Sequence, residues 1–180
     1  MNLDEIRKNV ISCTKCELCK TRTHAVPGKG NQNAKIVFIG EAPGRTEDLQ
    51  GEPFVGSAGK KLSEALIKNG ISRDSVYITN VVKCRPPNNR VPVESERAAC
   101  RQYLNAELES IKPEIICILG NTASNSVLGQ GEITKNRGKI LEKDGKKYFL
   151  TFHPAAIIYN QELAATFEAD ITTLARLVQK

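Results

Sequence analysis

The chain has 180 residues, 40 % of them hydrophobic, with a formal net charge of +6. That length and composition fit one compact α/β domain with a sizeable core, residues 1–180, and exclude a disordered or fibrous chain. A basic balance favours nucleic acid or another polyanion as partner, although a solubilising surface explains the charge equally well.

Residues 2–11 read as a short helix, and the cysteine-bearing segment follows. No apolar run approaches the roughly 20 residues of a membrane helix. The opening stretch, MNLDEIRKNVIS, lacks the apolar centre of a signal peptide. The expected location is therefore the cytoplasm, with no membrane partner and nothing that signals an oligomer. Residues 20–34 read as a polar loop. Lys35–Gly40 is the first core strand, and its unbroken Ile36-Val37-Phe38-Ile39 run predicts burial on both faces, as in a parallel sheet. The strand runs into Gly-Glu-Ala-Pro-Gly, a turn with too few glycines for a dinucleotide fingerprint and no Gly-Lys-Ser/Thr for a triphosphate.

Ser57 is expected to cap a helix through Lys68, with Gly70 as its stop. Ser75–Val82 is the second strand. The loop KCRPPNNRVP follows, its two adjacent prolines excluding regular structure. A helix is expected over Glu94–Ile111, a third strand over Glu114–Gly120 and a short helix over Thr122–Leu128. Lys139–Lys143 and Lys147–Phe152 flank Asp144-Gly145, a hairpin signal. The last helix spans Gln161–Gln179, with Leu163, Phe167, Ile171, Leu174 and Val178 on one stripe. Alternating strands and helices predict a three-layer α/β fold with a mainly parallel sheet. Ligands in such folds sit beyond the carboxyl ends of the strands. Gly40–Gly44, Asn80–Cys84, Gly120–Asn121 and His153–Pro154 should therefore share one rim.

Six cysteines need an account: Cys13, Cys16, Cys19, Cys84, Cys100 and Cys117. Disulfides are unexpected in a reducing compartment. Cys117 lies inside a buried strand and reads as a core residue. Cys100, on the apolar face of its helix, can be read the same way. Cys84 sits in an irregular basic loop, where a free buried thiol has little reason to be. Cys13 and Cys16 form a knuckle, which Cys19 extends. Fifteen residues separate Cys84 from Cys100. That gap suits the two short knuckles of a zinc ribbon less well than an iron–sulfur cluster, and both remain open.

Each rim residue has two readings. His153 is either a hydrogen-bonded structural histidine or an imidazole aimed into a cleft by Pro154. Asn80 is a turn former or a two-sided donor and acceptor. Phe54 is a loop anchor or a stacking plate. Glu41 and Glu47 are surface carboxylates or rim groups. Together the set suits a small planar polar ligand such as a nucleobase, and suits a phosphate poorly.

GEAPGRTEDLQGEPFVGSAG (40–59), NVVKCRPPNNRVP (80–92) and HPAA (153–156), with the four cysteines 13, 16, 84 and 100, resemble the family 4 uracil-DNA glycosylases. The resemblance implies an α/β/α sandwich on a four-stranded parallel sheet. It implies hydrolysis of the N-glycosidic bond of uracil in single- or double-stranded DNA, leaving an abasic site for base excision repair. It places a mainly structural [4Fe–4S] cluster on Cys13, Cys16, Cys84 and Cys100, and gives Cys19 no role. By the same resemblance Glu41, Ala42 and Pro43 wall the uracil pocket and Phe54 stacks on the ring. Asn80 reads the N3 and O4 edge, and His153 bonds O2 and stabilises the departing base. The superfamily's best-known branch carries a water-positioning aspartate where this chain has Ala42, so Glu41 or Glu47 is the expected water-activating group. After HPAA the family's leucine-arginine pair is replaced by IIYNQ, which makes Ile158 or Tyr159 the candidate wedge. Lys83, Arg85, Arg90 and Arg137 are expected on DNA phosphates.

Overall fold

The computed structural model describes residues 1–179. Its strands are β1 (Lys29–Gly30), β2 (Ile36–Gly40), β3 (Tyr77–Asn80), β4 (Ile115–Leu119), β5 (Ile140–Lys143) and β6 (Lys146–Thr151). They form one sheet in the order β1-β3-β2-β4-β6-β5. The four central strands, β3, β2, β4 and β6, run parallel. The expected four-stranded parallel sheet is thus its centre, and a short antiparallel strand lies at each edge. β1 falls inside the segment expected to be loop. It is two residues long, and so short a strand leaves no periodicity to read.

Alternation along the central strands divides the core in two. Val37 and Ile39 of β2 and Ile116 and Ile118 of β4 face one layer, with Ile6, Tyr103, Leu104 and Leu108. Ile36, Phe38, Ile115, Cys117 and Leu119 face the other, with Leu62, Leu66, Phe167, Ile171 and Leu174. One layer therefore holds α1 (Leu3–Ile11), α4 (Glu94–Ile111), α5 (Asn121–Leu128) and α6 (Ile133–Asn136). The other holds α3 (Ser57–Lys68) and α7 (Gln161–Val178). A one-turn-and-a-half helix, α2 (Arg45–Gln50), follows the Glu41–Gly44 turn. Cys117 is fully buried mid-strand, as a core residue should be.

Local signals account for most boundaries. Asn2 and Glu5 close a reciprocal capping box on α1. Asp144 and Gly145 both take positive φ between β5 and β6, as a two-residue hairpin of this twist requires. At α3 the expectation fails by one residue: Gly56 is the cap and Ser57 the first helical residue. The Gly56 amide is instead taken by Glu47 from outside the helix, at 3.0 Å. No side chain caps the first-turn amides, and the carboxylate instead pins the entry to the helix.

Candidate active site

The carboxyl ends of β2, β3 and β6 converge, as the topology demands. Gly40 and Asn80 are the last paired residues of β2 and β3. A Cβ at position 40 would lie 2.5 Å from the Phe54 ring and 2.6 Å from Asn80 Oδ1. Only glycine lets the ring and the carboxamide meet over this strand end. Phe54 and His153 are in tilted contact, ring centroids 5.6 Å apart and planes at 31°. His153 also packs on Gly120, just beyond β4. Three of the predicted groups, from three distant segments, therefore share one place.

Phe54 is held in an unusual backbone state, with φ at +51°. A side chain there costs roughly 1–2 kcal/mol, so the surroundings must impose it. Gly59 packs so closely that a Cβ would lie 1.9 Å from the Phe54 carbonyl oxygen. Half-buried Arg73 donates to the Pro53 carbonyl at 2.8 Å and to Ser63 Oγ at 2.8 Å. The loop is clamped from both sides.

Asn80 is buried, and its Oδ1 has no hydrogen-bond partner; among the described residues it is the sole buried side-chain polar atom so left. A buried acceptor without a donor costs about 1–3 kcal/mol. Such an atom at a strand-end cleft points to a ligand that brings the donor.

His153 Nδ1 lies 3.0 Å from the Ala155 amide, which donates to it. The ring proton then resides on Nε2, leaving an N–H free for a ligand. Burial lowers the imidazole pKa to about 4, against the opposing pull of Glu47. The ring is a neutral donor at pH 7.

The two carboxylates separate. Glu47 stands in the first turn of α2, and its Oε1 accepts the Gly56 amide. Its charge is felt at His153. Glu41 contributes its carbonyl, which accepts the Val82 amide at 3.2 Å, while its half-buried carboxylate has no partner among the described residues. Ala42 is half-buried against the core, and Pro43 is buried, so the turn between the two carboxylates forms a wall.

Cys13, Cys16, Cys84 and Cys100 line one small cavity, together with Cys19, Arg22, Lys83 and Tyr103. All six cysteines are unbridged. The sequence did not signal the donors around them. Arg22 reaches Cys84 Sγ at 3.1 Å, and the Lys83 amide reaches Cys100 Sγ at 3.3 Å. Burial pushes the Cys84 thiol up and the Cys100 thiol up to about 11.

The predicted phosphate contacts need correction. Lys83 is 1 % exposed and pairs with Glu107 at 2.7 Å, so it cannot meet DNA. The buried Glu107 carboxylate on α4 draws its ammonium inward. Arg90 forks onto Glu96 at 2.7 and 2.9 Å, and Arg137 is paired with Asp170. Arg85, hydrogen-bonded to Asn89, has no carboxylate partner among the described residues.

The sequence matches the uracil DNA glycosylase superfamily model over residues 27–175. The chain belongs to this superfamily, in its type-4 family. It is 46 % identical to the type-4 uracil-DNA glycosylase of Archaeoglobus fulgidus, over 99 % of this chain and 94 % of that one. The type-4 uracil-DNA glycosylase of Sulfurisphaera tokodaii is 47 % identical over 98 % of this chain and 84 % of its own. That of Thermotoga maritima is 44 % identical over 99 % and 95 %. Gly40, Phe54, Asn80 and His153 thus converge at the strand-end crevice where open α/β sheets bind their ligands. No helix among the described residues of this type-4 chain is long and apolar enough to cross a membrane.

Proposed function

We propose that the protein is a monofunctional uracil-DNA glycosylase acting in base excision repair. One observation carries the reading: the unpaired Oδ1 of Asn80, buried beside an aromatic plate and a neutral imidazole donor. The base enters flipped out of the DNA, because its glycosidic bond is inaccessible in a stacked helix. Phe54 supports its face. Asn80 Oδ1 accepts the uracil N3–H and its amide donates to O4. Cytosine offers an acceptor and a donor at those two places, so both contacts would be mismatched.

The C1′–N1 bond breaks with its electron pair on uracil. His153 donates through Nε2 to O2, where the negative charge grows. The Glu47 carboxylate faces the positive character on the sugar. Water forms the new bond to C1′ and gives up one proton, for which Glu47 is the acceptor. Glu41, Ala42 and Pro43 wall the pocket and supply backbone contacts. Tyr159 is 96 % exposed just past the His153 turn, whereas Ile158 is half-buried, so the tyrosine is the wedge.

The four thiols fit a [4Fe–4S] cluster. They line one cavity, and two of them already accept from a guanidinium and an amide, the surroundings expected of sulfurs that hold a cluster. When bound it would tie residues 13–16 to residues 84 and 100; no step of the hydrolysis passes through it.

A single-turnover assay tests the function. An end-labelled oligonucleotide with one uracil opposite guanine is incubated with the protein, then treated with hot alkali. Scission at the uracil alone, and only after alkali, is expected. No scission by an iron-replete protein that binds the DNA would overturn the reading.

A further inference from the structure

The Asn80 carboxamide has a peculiarity. Its acceptor is held by no protein donor, so its aim depends on the backbone beneath it. That backbone is held from an unexpected direction. Lys83 curls back three residues, and its ammonium donates to the Asn80 carbonyl at 2.8 Å. The same ammonium donates to Thr79 Oγ1 and to Glu107 Oε2. The Glu107 carboxylate is 0 % exposed and also accepts from Thr79 Oγ1 at 2.9 Å, Tyr77 OH at 3.1 Å and the Gly28 amide at 3.0 Å. Every polar atom of the pair is used.

An ion pair this deep is an expensive way to fill space. Well-packed apolar residues of the same volume often serve stability as well or better. What an apolar side chain cannot do is donate to the Asn80 carbonyl. The Lys83 main chain has a second attachment. Its amide donates to Cys100 Sγ, and its carbonyl accepts the Val26 amide at 2.7 Å. Glu107 and Cys100 are two turns apart on α4, on one buried face.

We infer that Lys83, neutralised by Glu107, is a positioning residue for base recognition: it fixes the Asn80 peptide so that the unpaired carboxamide meets the uracil edge. It acts through Asn80 and touches no substrate itself. The inference rests on the glycosylase reading. It also places the pocket and the thiol cage on one residue, whose side chain serves Asn80 and whose amide serves Cys100.

The test uses Lys83→Met/Glu107→Gln, which removes both charges together and leaves neither buried alone. Iron content and affinity for abasic-site DNA, which carries no base to read, are expected to match the wild type. The single-turnover rate on uracil is expected to fall about ten- to a hundredfold, the scale of a misaimed catalytic contact. In an Asn80→Ala background the same pair of changes should cost nothing further. An unchanged rate, equal losses of rate and abasic-site affinity, or an undiminished loss in the Asn80→Ala background would each overturn the inference. Should the double variant fail to fold, Thr79→Val, which keeps the ion pair and removes one hydrogen-bond partner from each of its members, must show the same split with a smaller loss. A wild-type protein that leaves uracil in place overturns the glycosylase reading and this inference with it. Wild-type cleavage matched by the variant overturns the inference alone.

Discussion

The strand-end pocket and the thiol cage are built in opposite ways. The pocket draws Gly40, Phe54, Asn80 and His153 from four segments, and leaves its central acceptor unpaired. The cage draws on two stretches, residues 10–22 and 83–103, and gives the sulfurs of Cys84 and Cys100 protein donors. A site whose ligand comes and goes must keep a polar atom unsatisfied and yet rigidly aimed. A site with a resident group can satisfy its atoms permanently. The pocket therefore carries strain, seen in the positive φ of Phe54, that the cage does not need.

If that division is right, changes in the pocket should cost rate and changes in the cage should cost stability. The largest rate effect is expected at His153. His153→Ala removes the donor to the departing base, and should lower the single-turnover rate about 10²–10³-fold with DNA affinity nearly unchanged. Equal losses in rate and affinity would break the division.

Cys84→Ser should do the reverse. Iron per chain should drop, and a loss of about 3 kcal/mol would lower the melting temperature by about 6–12 °C. A variant that keeps its iron and melting temperature but loses rate would put the cage in the chemistry. Asn80→Ala should cost less than His153→Ala. Two neutral hydrogen bonds to the base are worth about 1–3 kcal/mol, or roughly ten- to a hundredfold in rate, with iron content untouched.

The smallest effect concerns pH. His153 has its pKa lowered to about 4 by burial, from an ordinary value of 6.5. The unfolded chain therefore binds the proton first as pH falls. Stability from this group is complete above pH 6.5 and is lost progressively down to about pH 4. The rate should show no limb near pH 6.5. An imidazole titrating there by NMR would mean an open, solvated pocket rather than a closed one.

Much of the frame was legible in the residues. The Ile36–Ile39 run required a strand buried on both faces, and β2 indeed packs both layers. The periodicity of Glu94–Ile111 and the Asp144-Gly145 pair set α4 and the hairpin because each is a local property of contiguous residues. The strand-end rule puts Asn80 and His153 on one rim from element order alone. The sequence also contained the type-4 motifs and the four cysteines, though it left zinc and iron–sulfur open on spacing alone.

Other features depended on contacts between distant segments. Lys83 lies in a basic loop and reads as a phosphate contact; only the position of Glu107 on α4 turns it inward. Glu47 and Glu41 look alike in sequence, and the Gly56 amide separates them. The orphan Asn80 oxygen, the tautomer of His153 and the clamp of Arg73 on Pro53 are each a relation between residues far apart in the chain. Local pattern fixes which face a residue shows, because backbone period is set by neighbours. Which partner a buried polar group finds is fixed by the fold, because that partner comes from another element.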